Sequence, residues 1–140
     1  MRRRRTGLRI MGHRGHPQVR LALVRYAKWL RSRFIFPLRV PVYLFASETF
    51  VTMHGEHVSA SIFLPWNRNV EPHIQIATGD YPALRRERGR DRALAAFLCS
   101  LSHEVLHYRQ WIETGRSWER GVGAAAIRLV EAYAMTVEHP

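Results

Sequence analysis

The stretch that most limits how this chain can fold runs from Asp91 to about Glu113. It reads as one helix, capped by Asp91 and closed by Thr114-Gly115. Ala93, Leu94, Phe97, Leu98, Leu101, Val105, Leu106 and Ile112 make it apolar on nearly every side. A helix that is apolar all round is buried, so this segment belongs at the centre of the molecule. Yet it carries His103, Glu104 and His107. Three such groups are expensive to bury unless they satisfy one another or hold a metal ion.

The spacing favours a metal. Residues four apart lie on one helix face, one turn apart, so the imidazoles of His103 and His107 can reach a single ion. Zinc accepts neutral imidazole at about 2.0–2.1 Å. Glu104, one residue after the first histidine, can lie beside the ion without binding it. From there it can take a proton from a water activated by the metal and return it to a leaving amine. The plain alternative, a helix with two unrelated histidines, leaves the buried trio unexplained.

A catalytic zinc takes three protein ligands and keeps one open position. After the motif the chain offers Glu113, Glu119, Glu131, Glu138 and His139. Glu113 falls off the motif face. Glu119 sits near an expected helix start, where an acid serves as a dipole partner. Glu138 and His139 lie at a terminus that would fray. Glu131 borders the stripe of Val130, Ala134 and Val137 on a last helix expected over residues 118–137, and is the expected third ligand. Cys99, one turn before His103, reads as a small buried hydrophobe. His54 and His57 read as exposed turn residues.

Elsewhere Val19, Leu23, Tyr26, Leu30 and Phe34 recur at helical spacing, predicting an amphipathic helix over 17–34 that begins at Pro17. Residues 39–45, 49–53, 58–64 and 73–78 read as strands, with a hairpin turn around His54-Gly55-Glu56-His57. Residues 79–90 read as a charged connection. The order predicts an α+β fold: an N-terminal helix, a small antiparallel-type sheet of three to four strands, the motif helix and a last helix. Residues 1–16, basic and with three glycines, are expected to form a disordered arm ahead of a single domain over 17–140.

His103, Glu104 and His107, with Val130-Glu131-Ala132-Tyr133-Ala134 on the following helix, resemble the gluzincin metallopeptidases. The short chain resembles their single-domain members, the minigluzincins. The resemblance implies a zincin-like fold, a zinc ion held by His103, His107 and Glu131, and peptide-bond hydrolysis with Glu104 as general base. It also implies a protein or peptide substrate bound as an extended strand along a sheet edge, supplied by residues 73–78 or 58–64. Larger gluzincins often carry an aspartate four residues after the glutamate ligand to orient a zinc histidine; here that position is Met135, so another group must do this. Tyr133 is the favoured stabiliser of a tetrahedral oxyanion, ahead of Tyr108, His73 and Tyr81.

The net charge of +11 is unevenly placed. Residues 1–47 hold twelve Arg or Lys and no acid, whereas 48–140 hold ten basic and eleven acidic residues. Such a block suits contact with nucleic acid or another anionic surface through residues 1–33, which makes a nucleic-acid-binding protein the alternative function. A zinc-stabilised pseudoenzyme is a further alternative, although a purely structural zinc has no use for Glu104. One cysteine, Cys99, excludes an intramolecular disulfide and agrees with the cytoplasm. No apolar run approaches the roughly 18 residues of a membrane span.

Overall fold

The computed structural model describes residues 6–140; the arginine run at residues 2–5, part of the expected disordered arm, lies outside the described residues. The arm expectation fails for the rest of the segment. Leu8–Met11 form strand β1, and Leu8 is fully buried. The amide of Gly7 donates to Phe36 O, the amide of Val40 donates to Gly7 O, and Arg31 Nη1 donates to Leu8 O at 2.7 Å. A strand this short, set among arginines and glycines, carries too little apolar alternation to announce itself.

Helix α1 spans Pro17–Arg33. Pro17 opens it, and the Nδ1 of His16 accepts from the Gln18 amide as its N-cap. Val19, Ala22, Leu23, Tyr26, Ala27 and Leu30 form its buried face, the predicted stripe. Strand β2 is Val40–Phe45, β5 is Ala60–Phe63 and β6 is His73–Ala77. Between β2 and β5, β3 (Phe50–Val51) and β4 (His57–Val58) make the expected hairpin, which stands apart as its own antiparallel pair.

The four-stranded sheet has the order β1-β2-β6-β5. It is not antiparallel: β1 and β2 run parallel, β2 and β6 run parallel, and only β5 pairs antiparallel with β6. Parallel neighbours need a long crossover, and α1 is the crossover from β1 to β2. With β1 unrecognised, α1 looked like a free-standing first helix and the connection could not be inferred.

Helix α2 (Tyr81–Arg88) occupies the segment expected to be a charged connection. Its buried residue is Tyr81, whose hydroxyl donates to Gln18 Oε1 at 2.5 Å, so it shows no apolar stripe. Helix α3 (Arg90–Thr114) is the motif helix, and α4 (Val122–Ala134) is shorter than the expected 118–137. One core unites Leu8, the buried face of α1, Val40, Val42 and Leu44 of β2, Ile74 and Ile76 of β6, and α3 from Ala93 to Trp111. The result is a mixed α+β fold with α3 at its centre. Among the described residues no helix is long and apolar enough to cross a membrane.

Candidate metal centre

The C-terminal half of α3 carries the site. Glu104 and His107 are buried, at 8% and 7% exposure, while His103 is half-buried. The two imidazole rings stand 4.9 Å apart between centroids, as an i, i+4 pair on one face should. Ser102, on the helix's inner side, is fully buried and donates to Leu98 O.

Beyond α3 the chain folds back over its own last turns. Gly115 takes a left-handed conformation (φ 79°, ψ 3°) and its amide donates to Trp111 O, closing the helix. The Arg116 amide donates to Thr114 Oγ1, and the Trp118 amide donates to Gln110 Oε1 at 2.9 Å. This reversal brings Glu119 onto the histidine face. His107 Nε2 lies 2.7 Å from Glu119 Oε1, and His103 Nε2 lies 3.1 Å from Oε2. His107 Nδ1, on the other side of the ring, faces Gln110 Oε1 at 3.1 Å.

The carboxylate that completes the candidate ligand group with the two histidines is therefore Glu119, not Glu131. Among the described residues, His103, His107 and Glu119 form the group whose donor atoms, all within 4.8 Å of one another, could hold a metal ion. Glu131 is exposed on α4, off the face made by Val122, Ala126 and Tyr133. The reason lies in where α4 begins. Its N-cap is Gly121, in a left-handed conformation, so Glu119 belongs to the preceding loop and is free to turn toward α3. A helix starting at residue 118 would have fixed it as an ordinary first-turn acid.

Tyr133 is also placed away from the site. It is buried against Tyr26 (centroids 4.9 Å apart) and Trp29 (5.3 Å), in the core between α1 and α4. Tyr108 bonds to the backbone of Leu38, Tyr81 to Gln18, and His73 stacks on Phe63, so none of the expected oxyanion donors lines the cleft at His107. Cys99 is half-buried and outside the ligand group, and burial raises its thiol pKa. His54 and His57 are exposed on the hairpin and also outside the group.

The donor set fits zinc: two imidazole nitrogens and a carboxylate oxygen. Two donors on tetrahedral zinc are roughly 3.3 Å apart when each bond is about 2.0–2.1 Å; the histidines stand 2.7 and 3.1 Å from Glu119 and all three donors lie within 4.8 Å, so small side-chain shifts would close them on one ion. Glu119 is 74% exposed, so the cluster opens to solvent on that side. Its carboxyl is held below the usual range: desolvation, the largest single effect, acts upward, but the combined contacts with the two imidazoles outweigh it. Glu104 is shifted the other way, chiefly because burial disfavours its charged form, against the pull of the two histidines.

The cluster faces a cleft of about 570 Å³ lined by Ala60, Ser61, Ile62 and Leu64 on one side and Glu104, His107, Trp118 and Glu119 on the other. Trp111 Nε1 donates to Pro65 O at 3.1 Å, tying the end of β5 to α3. Of the two strands expected to offer an edge, β6 is enclosed between β2 and β5, whereas β5 is an edge strand and borders the cleft. A second cleft of about 650 Å³, around Trp66, Arg68 and Ile112, contains no histidine or acid. Part of the N-terminal basicity serves the fold itself: Arg20 donates to Gly12 O, Arg31 to Leu8 O, and Arg39 makes a bidentate pair with Glu71 at 2.9 Å.

Comparisons of the chain with protein-family models, with curated proteins and with solved structures found no match.

Proposed function

We propose that this chain is a zinc metallopeptidase, related in its ligand chemistry to the gluzincins, with His103, His107 and Glu119 as ligands and Glu104 as general base. The observation that carries the reading is the convergence of two imidazole Nε2 atoms on one carboxylate, beside a buried glutamate, in an open cleft. Glu119 takes the place that the resemblance gave to Glu131.

Bound zinc would polarise the scissile carbonyl and make water acidic enough to be deprotonated near neutral pH. Glu104 accepts that proton as the water oxygen attacks the carbonyl carbon. It then passes the proton to the nitrogen as the carbon–nitrogen bond breaks. Its burial suits this work, because a carboxylate of raised pKa is a stronger base. The edge of β5 offers main-chain groups to a substrate in extended form, which would lay its peptide bond across the cleft.

The test is metal analysis with a peptidase assay on the purified chain and its Glu104→Gln variant. Near one zinc per chain in both, with hydrolysis of an unstructured protein lost in the variant, supports the reading. A chain that takes up no zinc, or a variant of undiminished activity, overturns it.

A further inference from the structure

We propose that Gln110 is the positioning residue of the metal centre, fixing both the ring of His107 and the loop that carries Glu119. The proposal rests on the zinc reading above and adds the group that orients its ligands. Three atoms carry it. The Trp118 amide can only donate, so the Gln110 atom 2.9 Å away must be the carbonyl oxygen, Oε1. That assigns the side-chain amide, whose oxygen and nitrogen are otherwise hard to tell apart. The same Oε1 lies 3.1 Å from His107 Nδ1, which must then bear the hydrogen. A neutral imidazole carries one hydrogen, so Nε2 is left with its lone pair, and Nε2 is the atom aimed at Glu119 and the cleft.

One oxygen thus does two jobs. It sets the tautomer of a metal histidine, the role usually held by a carboxylate or a backbone carbonyl. It also holds the amide next to Glu119, so the two ligands are placed relative to each other through a single side chain. The helix supplies the geometry, since Gln110 is three residues after His107 and shares its face.

The test measures zinc affinity of the full chain by competition with a chromophoric chelator, for the wild type, Gln110→Leu and Gln110→Glu. It also records nitrogen NMR of the histidine rings in the zinc-loaded wild type. Gln110→Leu should weaken zinc binding about 10–100-fold. Gln110→Glu keeps an acceptor in place and should bind within about threefold of wild type or more tightly. The NMR should show His107 with hydrogen on Nδ1 and metal on Nε2. Wild-type affinity in Gln110→Leu, equal weakening in both variants, or metal on Nδ1 overturns the proposal and leaves the zinc reading standing. A wild type that binds no zinc overturns both. If Gln110→Leu does not fold, the wild-type ring assignment decides alone.

Discussion

His107 Nε2 lies 2.7 Å from Glu119 Oε1, while Nδ1 of the same ring faces Gln110 Oε1. With its one hydrogen directed to Gln110, a neutral His107 has none to give Glu119. The short contact then brings two lone pairs together, and it needs a positive charge to hold it, either a second proton on the ring or a cation shared by ring and carboxylate. His103 Nε2 approaches the same carboxylate, and the zinc ion proposed above would satisfy all three groups.

Glu104 is the residue whose loss should separate binding from chemistry. Glu104→Gln preserves size and places no new charge near the histidines, so zinc content should stay near one per chain. Hydrolysis should fall roughly 10²–10⁴-fold, the range of general-base catalysis. Parallel metal analysis and a peptide-cleavage assay check this; loss of zinc together with activity would assign Glu104 to the ligand set instead.

Leu8 tests the ordered N-terminal strand. It is fully buried, so Leu8→Ala should destabilise the chain by about 2–5 kcal/mol in urea denaturation. An unstructured arm would show no measurable change.

Tyr26 gives a pH-dependent signature of the core. Burial, above all, pushes its phenol up to about 12 from 10.0, so the folded state holds the proton more tightly than the unfolded chain. The associated stability is complete below pH 10 and is lost as pH rises toward 12, by up to ~3 kcal/mol. Because the Ser102 hydroxyl donates to Leu98 O, the Tyr26 hydroxyl is the donor in its bond to Ser102. Tyr26→Phe should therefore cost about 1 kcal/mol at pH 7 and flatten the alkaline decline. Denaturation at pH 7 and pH 11 for both proteins measures the difference; identical slopes would contradict it.

What could be read in the sequence was what periodicity carries. The all-round apolar pattern located α3, the stripe from Val19 to Leu30 located α1, and alternation located β6. His103, Glu104 and His107 came with α3, because four-residue spacing on a helix fixes geometry locally. Short elements with little buried surface escaped: β1, four residues with Leu8 alone fully buried, and α2, held chiefly by Tyr81. Missing β1 also hid the parallel pairing. Glu119 escaped for a different reason. Its position depends on the reversal at Gly115 and the bond from the Trp118 amide to Gln110, a loop geometry that no periodicity records. The signal present was Thr114-Gly115, which ends α3 and allows the next residues to return along it. Glu131 drew attention because it bordered an apolar stripe, but helix register alone does not say which neighbour a stripe faces.

The most direct measurement of the central claim is the zinc dissociation constant of the wild type beside Glu119→Ala and Glu131→Ala, under one chelator. The account predicts a loss of roughly 100-fold or more for Glu119→Ala, beyond that expected for an orienting residue, and a wild-type value for Glu131→Ala. Tight zinc binding in Glu119→Ala, or its loss in Glu131→Ala, would contradict it.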